Sequence, residues 1–429
     1  MKNHQTHATT NKGIQKILQV DRSIFKRFDI LLALTTAILI TIGVLAIYSA
    51  TYGNATSHEF YMKQLYFALF GFALMIGLSF VPPQYISKAS YLLYLITILL
   101  LIAVLIFGRT IKGNKSWFYV GGFGIQPSEI AKFTTILCLA NYLSSGGEET
   151  RDINKPWEFI KATLIVLVPF LLILKQPDTG TSLVFLSFLI PIFFWAGLSP
   201  YFLVALISFG IIAFAAFFGT TYFIVAIIVI AVSLLLFKRN YIVSGIIVAA
   251  NVAIGFSVPK VFAKLQPYQQ KRILAVFDPS TDPLGSGYNV IQSKVAIGSG
   301  GLWGKGFLAG TQTQLKFIPE QWTDFIFCMI GEEFGFIGSV ILLTLYIVII
   351  CKLISNAYLT RSRFLSIACV GFASIILFHL VINVGMTIGL MPVIGIPLPL
   401  MSYGVSSLLS FLVMLGIGMS AYRNRNLYI

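Results

Sequence analysis

The chain has 429 residues, 57% hydrophobic and only 10% charged, with a mean hydropathy of +0.87 and a formal net charge of +15. Soluble domains carry about 25% charged residues, so a soluble enzyme is excluded and no nucleic-acid partner is expected. Apolar runs of roughly 16 to 25 residues recur without the alternation of barrel strands, which predicts an all-α polytopic integral membrane protein.

Met1–Phe28 holds six Lys or Arg against one Asp and reads as a cytoplasmic basic tail. The full-length apolar run that follows has no small-residue cleavage pattern, so no cleaved signal peptide is expected. From residue 29 onward the chain reads as a single transmembrane domain. Spans are expected at about Asp29–Ala50, Met62–Val81, Tyr91–Phe107, Glu129–Ser144, Phe159–Leu174 and Thr179–Gly197. They continue at about Tyr201–Gly219, Thr221–Phe237, Tyr241–Val258, Phe325–Ile354, Phe364–Leu390 and Leu398–Tyr422, twelve in all, which leaves both termini in the cytoplasm. Lys238-Arg239, Lys352, Arg361, Arg363, Arg423 and Arg425 then fall on inside connections, as positive residues should. Cys138, Cys328, Cys351 and Cys369 sit in or beside apolar runs without paired spacing and read as buried thiols.

Two outside segments break the charge pattern. Gly108–Ser128 carries Arg109, Lys112 and Lys115, and Pro259–Thr323 carries seven basic residues against three acidic ones. They are either solvated loop charge or a basic mouth for an anionic ligand such as a lipid-linked diphosphate. Pro127-Ser128-Glu129 opens a short span, with Ser128 suited to N-capping and Glu129 and Lys132 on one face by i,i+3 spacing. The bland reading is a first-turn Glu with a local ion pair, the sharper one a polar recess. Asp178, in the turn 175–180, is either an N-cap or a cavity residue. His379 is a lone imidazole in a span and reads as a packing residue. The proline-broken stretch 391–402 must be buried in protein or line a cavity.

The longest polar interruption is Tyr268–Glu333, with eight glycines between Leu284 and Gly310 and with Lys294, Lys305 and Lys316. Chemistry is expected here. The stretch ends in Pro319-Glu320-Gln321-Trp322-Thr323-Asp324, which puts Asp324 at the mouth of a membrane helix. Read as one helix, Asp324–Ile354 would be about 46 Å long and would have to tilt or project, with Glu332 and Glu333 near the outer boundary.

Lys294–Gly310, Phe317-Ile-Pro-Glu320, Thr323-Asp-Phe-Ile-Phe327 and Gly331-Glu-Glu-Phe-Gly335 resemble the SEDS family (shape, elongation, division and sporulation). Gln126–Lys132, Gln176–Gly180 and Gly395–Gly404 match its motifs too, and Gly310-Thr-Gln312 with Gln314–Phe317 is closer to the RodA branch than to the FtsW branch. The resemblance implies a peptidoglycan glycosyltransferase in the bacterial cytoplasmic membrane that polymerises lipid II on the outer face for cell elongation. Its implied partners are a class B penicillin-binding protein and other membrane proteins of the elongation complex. Asp324 matches the catalytic aspartate of the family, and Glu129, Lys132 and Asp178 match its cavity residues. Lys112, Lys115, Lys294, Lys305, Glu320, Thr323, Glu332 and Glu333 are taken as further substrate-binding candidates. The family usually has ten spans, so about 199–240 reads as an inserted hairpin and about 259–324 as the extracytoplasmic catalytic loop. Gln321-Trp322, Lys115-Ser116 and Val405 depart from the usual pattern.

The chemistry asks for one base and one anion sink. Asp324 could take a proton from an attacking sugar hydroxyl, or hold a divalent cation, Mg or Mn, that neutralises a diphosphate. No organic cofactor is expected. A single displacement at an α-linked donor would invert it. A lipid II flippase or a non-catalytic scaffold for the penicillin-binding protein is the alternative. A flippase would want access from both faces, and a scaffold would leave the Asp324 loop unexplained.

Overall fold

A computed structural model of the chain describes residues 28–52, 59–111, 113–120, 123–145, 151–237, 241–278, 282 and 285–425. The basic tail before Phe28, Lys112 and the Lys238-Arg239 pair lie outside the described residues. Among the described residues the chain is mostly helical, with one small sheet and with non-helical stretches at 301–310, 315–325 and 388–404. It runs α1 (Ile30–Thr51), α2 (Glu59–Ser79), α3 (Pro83–Phe107), strands β1 (Arg109–Ile111), β2 (Asn114–Val120) and β3 (Phe123–Ile125), then α4 (Pro127–Ser144) and α5 (Pro156–Leu174). There follow α6 (Thr179–Ser187), α7 (Leu189–Trp195), α8 (Pro200–Phe218), α9 (Thr220–Leu236), α10 (Tyr241–Lys264) and α11 (Pro267–Leu274). The chain ends with α12 (Ser286–Gly300), α13 (Thr311–Gln314), α14 (Ile326–Leu359), α15 (Arg363–Thr387) and α16 (Val405–Arg423).

Among the described residues, nine helices are long and apolar enough to cross a membrane, and the α6–α7 stretch and α9 are shorter apolar helices. The helix α4 is more polar, and 15 of its 18 residues are buried. Protein surrounds it, so Asn141 can donate to Ser87 O at 3.0 Å and Ser90 Oγ at 2.8 Å on α3 where lipid would offer nothing. Five helices, α3, α4, α5, α8 and α11, open on proline, whose missing N–H is no loss in a first turn.

Several sequence expectations are corrected. The outside segment Gly108–Ser128, for which no secondary structure was expected, contains strands in the antiparallel order β1-β2-β3, in keeping with the strand preference of its aromatic run Trp117-Phe-Tyr. Ser128 is not a cap; Gln126 holds that position and Pro127 opens the helix. Cys351 is exposed, whereas Cys138, Cys328 and Cys369 are buried.

The single long helix from Asp324 does not form either. Residues 321–325 are a turn, and α14 is broken at Gly335, which adopts φ 66° and ψ −160°. The break lets Phe336 N and Ile337 N donate to Gly301 O and Leu302 O, while Lys305 N and Gly306 N donate to Glu332 O and Glu333 O. A Cβ on Gly335 would lie 2.3 Å from Gly304 N, so only glycine permits this crossing. The last helix starts at Val405 and not near Leu398. Pro397 and Pro399 lack the N–H that a helix needs, and the stretch they break is buried at Val393, Ile396, Leu398 and Leu400, as membrane depth requires.

The expected hairpin is a pair of helices, α8 and α9, joined at Gly219 and packed on α10. These three share their own small core of Tyr201, Ala205, Ile212, Phe223, Ile230 and Leu234, apart from the main one.

The bundle has two unlike ends. At one, Lys352 pairs with Asp29 at 3.2 Å, Arg363 donates to Ala196 O at 2.9 Å and Arg423 lies over Phe80. At the other, the turn 175–178, the turn 321–325 and the stretch 389–404 converge.

Candidate functional site

The Asp324 turn is held through its backbone. Three successive carbonyls accept from one neighbouring surface: Trp322 O from Tyr403 N at 2.9 Å, Thr323 O from Ser402 Oγ at 2.6 Å, and Asp324 O from Asn383 Nδ2 at 2.9 Å. Asn383 Nδ2 also reaches Ile396 O at 2.8 Å, and Ser402 Oγ accepts from Leu398 N at 2.8 Å, so the proline-broken stretch and α15 grip the turn together. Gln321 Nε2 adds a tie to Ala50 O of α1 at 2.9 Å. Thr323 Oγ1 is turned inward, onto Glu320 O and the Glu320 carboxylate at 3.2 and 3.3 Å. The Asp324 carboxylate is half-buried and lies beside Gly395, where a Cβ would stand 3.4 Å from Oδ2.

A second group lies beneath it. Glu129 and Lys132 form a buried ion pair at 2.8 Å. Lys132 Nζ also lies 3.3 Å from His379 Nε2 and 5.6 Å from the centre of the Phe411 ring. His379 Nδ1 is 2.9 Å from Pro397 O. A carbonyl can only accept, so Nδ1 carries the proton and Nε2 is the acceptor for the ammonium. His379 is thus a buried side chain whose two ring nitrogens both have partners, as a satisfied packing role requires.

Of the two roles proposed for Asp178, the structure shows the N-cap. It caps α6 by accepting from Thr181 N at 3.1 Å and Thr181 Oγ1 at 2.9 Å, and it accepts from Gln126 Nε2 at 3.0 Å at the start of α4. Burial pushes its carboxyl above the usual carboxylate value, against the pull of the Thr181 hydrogen bonds. An open cleft of about 530 Å³ lies alongside, lined by Leu174, Pro177, Thr179, Tyr268 and Arg272. A second, apolar cleft of about 420 Å³ lies between α8, α10 and α11 and is lined by Phe217, Ile254, Val258, Phe262 and Ile273.

Glu332 and Glu333 are not available to a ligand in this arrangement. Glu332 accepts from Lys305 Nζ at 2.8 Å, Gln312 N at 2.8 Å, Thr313 N at 3.0 Å, Thr313 Oγ1 at 2.6 Å and Thr311 Oγ1 at 3.2 Å. Glu333 accepts from Ser49 Oγ on α1. These contacts pin the glycine-rich loop to α14, and they commit Lys305 to the same task. Lys115 is likewise engaged, donating to Ile106 O at 2.9 Å. Lys294 is exposed on α12 and lies over Gly389, where a Cβ would meet its Nζ at 2.5 Å.

Asp324, Glu129, Lys132 and Asp178 are thus gathered around the stretch 389–404, whereas Glu332, Glu333, Lys305 and Lys115 are drawn off into structural contacts. Sequence reasoning missed Asn383, Ser402 and Gln126 as parts of the support and did not identify the partners of His379. A signal existed: His379 and Asn383 stand i,i+4 on one face of a membrane helix, where polar side chains are costly unless paired. Among the described residues no group of three or more His, Cys, Asp or Glu could hold a metal ion by itself.

A family profile, the FtsW/RodA/SpoVE group described as cell cycle protein, matches residues 29–224 and 203–427. The peptidoglycan glycosyltransferase RodA of Treponema pallidum is 36% identical over 425 residues, covering 92% of this chain and 97% of that protein. The peptidoglycan glycosyltransferase MrdB of Escherichia coli K12 is 37% identical over 362 residues, covering 83% and 84%. Among solved structures, a chain from a peptidoglycan synthase complex studied for the coordination of polymerization and crosslinking superposes with a TM-score of 0.70 at 28% identity, covering 94% of this chain and 99% of that one. The rod shape determining protein RodA of Thermus thermophilus superposes with a TM-score of 0.61 at 25% identity, covering 94% and 98%.

Proposed function

The chain belongs to the FtsW/RodA/SpoVE family, and on that premise we propose that it is a peptidoglycan glycosyltransferase that polymerises lipid II with Asp324 as its base. The observation that carries this reading is the Asp324 turn: three consecutive carbonyls are tied down while the carboxylate stays half-exposed beside Gly395. A catalytic group must be held in place by its surroundings.

In the proposed step the 4-hydroxyl oxygen of the acceptor sugar bonds to the anomeric carbon of the donor. The bond from that carbon to the diphosphate oxygen breaks, and the polyprenyl diphosphate leaves with the electron pair. Asp324 takes the hydroxyl proton as the bond forms, a contribution worth about 10²- to 10⁴-fold for a positioned base. One displacement inverts the anomeric centre. Lys294, exposed over Gly389, is assigned to the leaving diphosphate, as is Arg272 at the cleft beside Asp178. The buried Glu129–Lys132 pair sets the electrostatic floor of the site. If a divalent cation takes part, Asp324 and substrate phosphate oxygens would supply its ligands, as suits a magnesium ion that keeps most of its waters.

The orientation proposed places the Asp324 end outside the cytoplasmic membrane and both termini inside. Its support is the basic opposite end, with Lys352, Arg363 and Arg423. The hairpin α8–α9 is read as an insertion; the two family matches overlap there, at residues 203–224. A class B penicillin-binding protein is the proposed partner, in keeping with the likeness to a chain from a peptidoglycan synthase complex. The test is polymerisation of lipid II by the purified protein, alone and with that partner: the native chain makes long glycan strands and Asp324→Asn makes none. Strands from the Asn variant at the native rate would overturn the assignment.

A further inference from the structure

The carboxylate of Asp324 and the ion pair of Glu129 and Lys132 are carried by separate elements, and one face of α15 connects them. His379 and Asn383 are one helical turn apart and donate to neighbouring carbonyls of the same stretch, Pro397 O at 2.9 Å and Ile396 O at 2.8 Å. Asn383 passes that grip on to Asp324 O, and His379 accepts from Lys132 on its other side. Both side chains are buried, His379 to 1% and Asn383 to 0% exposure.

We propose that His379 is a positioning residue for glycosyl transfer, a neutral imidazole that clamps the 396–397 backbone, and through it the Asp324 turn, to the Glu129–Lys132 pair. The proposal rests on the reading of Asp324 as the base.

The physical case is one of fixed geometry. An X-Pro segment such as Gly395-Ile-Pro-Leu-Pro makes few ladder hydrogen bonds of its own, because proline has no N–H. Its carbonyls at 396 and 397 are held by side chains from α15, Asn383 and His379 respectively. Lys132 fixes the imidazole in turn. With Nδ1–H directed at Pro397 O, the lone pair of Nε2 faces the ammonium, and a second proton on the ring would set two cations 3.3 Å apart. The ammonium is itself balanced by Glu129 at 2.8 Å. Phe411 closes the edge of the ring at 5.1 Å between centroids, so the imidazole has little room to turn away. The result is a chain of contacts from α4 through α15 to the base, in which Lys132, His379, Asn383 and Ile396 are buried.

The two ring nitrogens can be tested separately. His379→Asn keeps a donor near the Nδ1 position and loses the Lys132 contact, while His379→Gln keeps a group near Nε2 and loses the Pro397 contact. His379→Leu removes both and retains apolar packing on Phe411. If the clamp positions the base, Gln and Leu lower kcat for lipid II polymerisation by about tenfold or more, in line with the sensitivity of catalysis to small displacements, with KM little changed. Asn, which keeps only the Pro397 contact, recovers part of that loss. Native kcat in the Gln and Leu variants, measured per folded molecule, would overturn the proposal. So would a Gln variant that cannot be isolated folded, since the residue would then serve the fold alone. Asp324→Asn run in parallel separates the two ideas: activity in that variant removes the base itself, whereas its inactivity beside a fully active Gln variant removes only the clamp.

Discussion

Asp324 and Glu332 are two carboxylates on the same turn-and-helix segment, and the structure treats them in opposite ways. Glu332 is fully buried and accepts from Lys305, Thr311, Gln312 and both the amide and hydroxyl of Thr313. Asp324 is gripped by its main chain at Trp322, Thr323 and Asp324 itself, and its carboxylate is half-exposed. The hydrogen bonds at Glu332 end on its carboxylate and hold the loop 305–313; those from Tyr403, Ser402 and Asn383 end on the main chain of the Asp324 turn. Proximity in a polar motif therefore says little about role, and the side-chain donors around each acid decide it.

Four substitutions bear on that contrast, and the largest effect belongs to the presented acid. Asp324→Asn should reduce polymerisation by about 10²-fold or more while the thermal midpoint stays at the native value. A fall in midpoint as large as the fall in rate would put Asp324 in the same class as Glu332. Glu332→Gln should do the reverse, destabilising the glycine-rich loop by about 3 kcal/mol because Lys305 loses its counter-charge. Limited proteolysis between Gly301 and Thr311 would read this as faster cleavage, and unchanged protection would show that the five donors contribute little.

Gly395→Ala comes next. Its φ of 71° strains any L-residue, and the new methyl would stand 3.4 Å from Asp324 Oδ2. Backbone strain of about 1 kcal/mol and a displaced carboxylate should lower the rate by about tenfold with a small loss of stability. A rate equal to native would show that Gly395 does not bound the space in which Asp324 works. The smallest change is expected from Lys115→Met, under twofold in rate, because Lys115 donates to Ile106 O and not into the site. A tenfold loss would return the β-sheet edge to the candidate site.

The orientation can be sharpened by labelling. A cysteine at Trp303, 80% exposed, should react with an impermeant reagent from outside, and one at Tyr358, 81% exposed, only after permeabilisation. The reverse pattern would place the Asp324 end in the cytoplasm.

Much of the fold was legible in the residues. Length and hydropathy gave a helical membrane bundle, helix was found in every stretch read as a span, and prolines at 83, 127, 156, 200 and 267 mark helix starts. These features are local, and a helix satisfies its own backbone wherever it lies. The motif around Asp324 was legible too, because so polar a run between apolar spans needs an explanation.

Other facts depended on tertiary structure. Nothing in Gly331-Glu-Glu-Phe-Gly335 says that the helix breaks at Gly335; the break exists because residues 301–306 cross there at backbone contact distance. Nothing in the spacing of Lys305 and Glu332 shows that they meet at 2.8 Å, since the loop between them closes back on itself. The partners of His379 were not legible because Lys132 and Pro397 are 247 and 18 residues away. Hydropathy and helix caps act over a turn or two of chain, and the sequence fixes them directly. The protonation, orientation and availability of a side chain depend on which donors and acceptors surround it, and in this bundle those come from other helices.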